Sequence, residues 1–163
     1  SQEKEYLQLA KNLYEQILAN CSADGKLASL HNSDRKHAPA SSLAYATLIA
    51  AAIDLSQATG EDRFGREADT VLALWRDDPR FPLVNPLKIQ VDPALPSFSH
   101  YSDLSVPSAA SVHLKNLDWF ATKRSDAAAK SEIEAILADI PQLATAQPER
   151  FIGLANQLRS VAR

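Results

Sequence analysis

The chain contains no methionine, one cysteine and four glycines in 163 residues. The lone cysteine, Cys21, excludes an internal disulfide. Its expected place is that of a small, half-buried residue near a helix end; a reactive thiol is the minor alternative, because no histidine lies close in sequence. Four glycines against many alanines and leucines favour helix over sheet. No apolar run reaches the length of a membrane span, and no signal-peptide pattern stands at the N-terminus. There is no block of Lys or Arg, and the formal net charge is -3 with mixed signs, so neither nucleic acid nor membrane is an expected partner. The four histidines, His31, His37, His100 and His113, show no metal-ligand spacing such as His-x3-His, and no cysteine stands near to complete a site. No metal and no cofactor is therefore implied. A natural reading frame would start with methionine, so a chain that begins at Ser1 and has none reads as a fragment of a larger protein, and its compartment stays unknown.

What is present is a helical pattern. The hydrophobic fraction of 45% is that of an ordinary globular protein, and the length suits one helical domain over 1–163. The stretch from Tyr45 to Trp75 holds two amphipathic segments that meet at Ala58-Thr59-Gly60-Glu61-Asp62. Gly60 is able to take the left-handed conformation that closes a helix, and Glu61 and Asp62 suit the positive start of the next one. The spacing predicts a helix from about Ser42 to Thr59 with Tyr45, Leu48, Ile49, Ala52, Ile53 and Leu55 inward. A second runs from about Arg63 to Trp75 with Phe64, Ala68, Val71, Leu72 and Trp75 inward, ended by Asp77-Asp78-Pro79.

On either side the same periodicity recurs. Residues 4–20 place Tyr6, Leu9, Ala10, Leu13, Tyr14 and Ile17 on one face, which predicts a first helix with that face buried. Asn20 to Lys26 reads as a polar turn around Asp24-Gly25, and 27–40 as irregular. Residues 76–105 form one long proline-rich loop, with a small hairpin as an option near Leu87 to Val91. Further helices are expected from about Pro107 to Thr122, from about Asp126 to Ile140 with Pro141 as its stop, and from about Gln147 to Val161. The fifth helix should turn Ala129, Ile133, Ile136, Leu137 and Ile140 inward. The expected fold class is all-α, built of antiparallel helical hairpins.

Several short elements resemble one family. They are Asp24-Gly25, then Tyr45-Ala46 on a helix, then the corner Ala58-Thr59-Gly60-Glu61, and finally Asp103 through Val106-Pro107-Ser108-Ala109-Ala110-Ser111 opening a helix after a long loop. In that order they resemble the C-terminal helical part of thioredoxin-domain-containing proteins related to spermatogenesis-associated proteins. That part is similar to the N-acylglucosamine 2-epimerases and other six-hairpin, glycosidase-like carbohydrate enzymes. The resemblance covers most of the chain and implies part of an (α/α) toroid, of which six helices would be roughly the C-terminal half. The thioredoxin domain of such a protein would lie upstream. Two departures weaken a catalytic reading: Leu43-Ala44 stands where relatives carry an acidic pair before the tyrosine, and Ala109 where they often carry glycine.

Each candidate site residue has two readings. Asp103, Ser108 and Ser111 would line the mouth of a helical cavity and bond a sugar-like hydroxyl; equally, a serine there caps the helix while Asp103 orients the turn. Tyr45 and Trp119 would stack on a pyranose, or pack in the core. His37 or His100 would serve as a general base, or lie solvated in a loop. Arg35 and Lys36 would hold an anion, or simply be solvated. Glycoside hydrolysis would need a carboxylate pair, for which Asp92 and Asp103 are the candidates. The favoured expectation is a non-catalytic binding or scaffold module. Its partner would be the missing part of the parent protein, a second copy in a homo-oligomer, or a carbohydrate-like ligand. The alternative is an epimerase- or glycosidase-like fragment.

Overall fold

Helix-forming segments dominate the computed structural model, which describes residues 2–23, 26–31, 36–78 and 108–146. They fall in two compact units, Ser1–Asp78 and Pro79–Arg163. The expected loop over 76–105 lies almost wholly outside the described residues, as do the expected helix over 147–161, the Asp24-Gly25 turn, Arg35, Asp92, His100 and Asp103.

The first unit runs α1 (Gln2–Cys21), β1 (Ser22–Ala23), β2 (Lys26–His31), β3 (Lys36–Pro39), α2 (Ser42–Thr59) and α3 (Asp62–Arg76). The helix α2 has the predicted bounds. Its start is capped by Ser41, whose hydroxyl accepts the Ala44 N–H at 3.2 Å. Its end is closed by Gly60 at φ 71°, whose N–H donates to the Ser56 carbonyl at 2.9 Å. All the residues assigned inward on α2 and α3 are buried, and the two helices pack on one another. On the outer face of α3, Arg66 bonds Asp62 one turn back at 2.6 Å.

Two expectations need correction in this unit. Within 27–40, residues 27–31 and 36–39 are strands and not irregular: β2 pairs antiparallel with β1 through Ser22↔Leu27 and Ala23↔Lys26, and with β3 through Ala28↔Pro39 to His31↔Lys36. His31 and His37 therefore belong to strands rather than loops. Antiparallel pairing satisfies the backbone of these residues locally, which short segments without helical periodicity require. The apolar face of α1 is also not buried as a whole. Tyr14 is 3% exposed, whereas Tyr6 is 68%, Leu9 63% and Leu13 55% exposed. With about 3.6 residues per turn, Tyr6 and Leu13 lie about a quarter-turn around the helix from Tyr14. The contacts of α1 with α2 and the sheet cover Tyr14 and leave that flank open.

The second unit contains α4 (Ala109–Trp119), a π-helical turn (Phe120–Arg124) and α5 (Ala127–Ala146). Ser125, in the left-handed region at φ 55°, closes the turn, and its N–H donates to the Phe120 carbonyl. Asp126 caps α5 by accepting the Ala128 N–H at 2.8 Å. The expected stop at Pro141 is overturned, since α5 continues to Ala146. A proline removes one helical hydrogen bond, and the good helix formers around it carry the run across. Leu137, expected inward, is 38% exposed, while Ala129, Ile133 and Ile136 are buried.

A Cβ added at Gly60 would meet no atom within 4 Å, so the cost of substituting it is conformational alone. Gly60→Val is expected to destabilise by about 1 kcal/mol or more, because a β-branched residue resists this φ. Urea unfolding followed by circular dichroism measures it.

Candidate functional site

Between α1 and α2 runs an apolar groove of ≈ 650 Å³. Its base is formed by Tyr14, Leu48 and Leu55 together with Leu27 and Ala28 of β2. One wall is α1, through Leu7, Ala10, Leu13 and Ile17, with Cys21 at its end. The other is α2, through Ala44, Thr47, Ala51, Asp54 and Ala58. The turns of α2 that face α1 carry alanine and threonine, and those of α1 carry leucine and isoleucine, so one wall of the groove is low and the other bulky. Leu13, Thr47, Ala51 and Ala58 are exposed, and the groove is open along its length.

Beneath the groove the polar groups are held in place. The buried Tyr45 hydroxyl accepts the Leu27 N–H at 3.3 Å and donates to Asp78 Oδ2 at 3.2 Å. One face of its ring stacks on Trp75, with centroids 5.5 Å apart and planes 10° apart. On the opposite side of α1, Lys11 bonds Glu61, and Arg63 bonds Glu61 at 2.7 Å and Glu15 at 2.8 Å. Lys11 and then Arg63 hold the Glu61 carboxyl below the usual carboxylate range. Arg63 also lies 4.1 Å over the Phe64 ring, and Phe64 meets Tyr14 edge-on at 6.0 Å.

Tyr14 and Glu67 share this interior less comfortably. Burial, then the charge of Glu67, pushes the Tyr14 phenol well up, and neither the Tyr14 hydroxyl nor Glu67 Oε2 has a hydrogen-bond partner. Burial also raises the Glu67 carboxyl; Arg63 opposes this and Glu15 adds to it. A carboxyl raised in the folded state binds its proton more tightly there than in the unfolded chain. Its contribution to stability is thus lost as pH rises through the raised value.

Each sequence-predicted site residue has a definite place or lies outside the described residues. Tyr45 is buried and engaged as above. Ser108 is the N-cap of α4: its hydroxyl accepts the Ser111 N–H at 3.1 Å and shares a hydrogen bond with the Ser111 hydroxyl at 2.9 Å, and both serines are buried. The backbone of His37 belongs to β3, and Asp103 lies outside the described residues. Trp119 meets Phe120 edge-on at 5.1 Å and lies under Arg124 at 5.3 Å. These residues belong to different units, with Tyr45 and His37 in the first and Ser108 and Ser111 in the second.

One pairing escaped the sequence reading. His113 Nε2 of α4 lies 3.3 Å from Glu132 Oε2 of α5, and both residues are buried. A signal was present: Glu132 falls on the stripe of Ala129, Ile133 and Ile136, where an acid is out of place unless partnered. Among the described residues no group of three His, Cys, Asp or Glu is arranged to hold a metal ion, and no helix is long and apolar enough to cross a membrane.

Tyr45→Phe keeps the stack on Trp75 and removes only the hydroxyl, so its expected cost of about 1–3 kcal/mol, read by urea unfolding, isolates the two hydrogen bonds. Glu67→Gln is expected to raise the melting temperature at pH 7, with the gain over wild type shrinking as pH falls toward 4; thermal melts across that range measure it. Comparison with family models, curated proteins and solved structures finds no match to this chain.

Proposed function

We propose that this chain is a non-catalytic helical module that binds a ligand or partner. In this reading it forms part of an (α/α) toroid of the kind found in the thioredoxin-domain proteins it resembles in sequence. The observation that carries the reading is the groove between α1 and α2, with its apolar lining and the exposed line of Tyr6, Leu9 and Leu13 beside it. Apolar surface in water is unfavourable by roughly 25 cal/mol per Å², and covering it is what makes such a face adhesive. Acid–base or nucleophilic catalysis calls instead for titratable groups that converge on one point. In the lining, among the described residues, Asp54 is the one carboxylate. A sugar ligand would ask for many polar contacts. Thr47 and Tyr14 carry the hydroxyls and Asp54 the carboxylate in the lining; Tyr14 is buried, and the Thr47 hydroxyl already donates to the Leu43 carbonyl at 2.8 Å.

The test uses an apolar reporter. Anilinonaphthalene sulfonate added to the full chain is expected to show saturable fluorescence enhancement. Ala51→Trp, which fills the groove from an exposed position, should remove at least about half of it while leaving the circular dichroism spectrum unchanged. Undiminished dye binding by that variant would refute the groove as the binding site.

A further inference from the structure

Where α1 meets α3, a linked set of charges does not balance. Lys11 bonds Glu61, and Arg63 bonds Glu61 at 2.7 Å and Glu15 at 2.8 Å. Glu67 stands one turn beyond Arg63 on α3 and feels the same guanidinium through its charge. Three carboxylates thus share two bases, and the set carries one negative charge too many. The excess falls on Glu67. Glu61 is bonded to both bases and Glu15 to Arg63, whereas Glu67 Oε2 is buried without a hydrogen-bond partner. It lies close enough to the Tyr14 hydroxyl, also buried and unbonded, for its charge to push the phenol up. A proton on Glu67 would balance the set and remove the buried charge.

The groups that act on Glu67 are Tyr14 and Glu15 from α1 and Arg63 from α3 itself. The helix α2 and the strand β2 also pack on α3. In α2, Asp54 stands in the groove lining and Tyr45 is bonded to Leu27 and Asp78. Through that Tyr45 and Asp78, β2 is joined to the end of α3, about three turns from Glu67.

The element this imbalance acts on is α1. Tyr14 is its buried residue, while Tyr6, Leu9 and Leu13 are more than half exposed. A helix with so little buried surface opens at lower cost than the unit as a whole. When α1 lifts off, Glu67 returns to water and regains its ordinary affinity for protons. The docked state, in which burial raises the Glu67 carboxyl, therefore binds the proton more tightly than the open state. Docking is strongest below the ordinary carboxylate value and weakens as pH rises through the raised one.

We propose that Glu67, with Tyr14, Glu15 and Arg63, is a proton-operated latch that holds α1 on α3 when Glu67 is protonated and loosens it when Glu67 is ionised. The latch does not depend on what the groove binds, although α1 is one of the groove's walls.

Peptide-resolved hydrogen exchange of the full chain, expressed as protection factors, compares α1 with α2 from about pH 5 to about pH 8. In wild type the protection of α1 relative to α2 is expected to fall by at least about threefold across that range, and by no more than about tenfold per pH unit, as one proton requires. Glu67→Gln, neutral at every pH, should keep the relative protection of α1 at its low-pH level throughout. Glu15→Gln frees Arg63 for Glu67, so the fall should shrink to less than about half that of wild type. A wild-type ratio that stays constant overturns the proposal, whether neither helix responds or both respond alike. So does a fall that persists in Glu67→Gln, or one that Glu15→Gln leaves at full size.

Discussion

Tyr45 joins three elements of the first unit, and the groove exists because it does. Its ring lies flat on Trp75 of α3, its hydroxyl takes the Leu27 N–H of β2, and the same hydroxyl reaches Asp78 just beyond α3. A buried hydroxyl must be bonded or it costs more than it contributes. Here both of its capacities are used, one as acceptor and one as donor. That fixes where β2 meets α2, and so where Leu27 and Ala28 come to form the base of the trough.

The two sides of α1 are treated differently by the rest of the unit. Toward α3 it carries Lys11 and Glu15, which meet Glu61 and Arg63 in a linked chain of charges. Such partly exposed pairs contribute little to stability one by one, but they set the helix in one orientation. Toward α2 it carries leucines and Ile17, held off from full contact by the geometry that puts Tyr14 inward. The result is a helix clamped along its polar side and open along its apolar side. Glu67, raised by burial beside the unpartnered Tyr14 hydroxyl, shows that this clamp is not optimised for stability alone.

The helices α2 and α3 were legible because local and tertiary demands agree there. Ser41, Gly60 and the alternation of Tyr45, Leu48, Ile49 and Ala52 all point to the same boundaries and the same buried face. The strands were less legible. Lys26 to His31 has little apolar alternation, so the Asp-Gly pair read as a polar turn without naming the strands on either side of it. At Pro141 a local stop signal lost to the helix-forming residues on both sides. At Glu132 a polar residue on an apolar stripe pointed to a buried partner, but periodicity alone does not name His113, nineteen residues away. The candidate groove was legible only by halves. Its α1 wall was visible as an apolar stripe and its α2 wall as a row of alanines, while the separation between them was not.

The amino-acid sequence by itself determined the dominance of helix, the caps and corner at 41–62, and which residues of α2 and α3 turn inward. These follow from side-chain period and backbone preference, which act over a few residues. Only the tertiary structure decided that the stripe of α1 stays largely exposed, that 26–31 and 36–39 pair as strands, and that Tyr45 is engaged in the interior. An apolar stripe states that a face is adhesive, and not what covers it. Burial depends on the distance between neighbouring elements, a quantity set by every side chain in the interface at once.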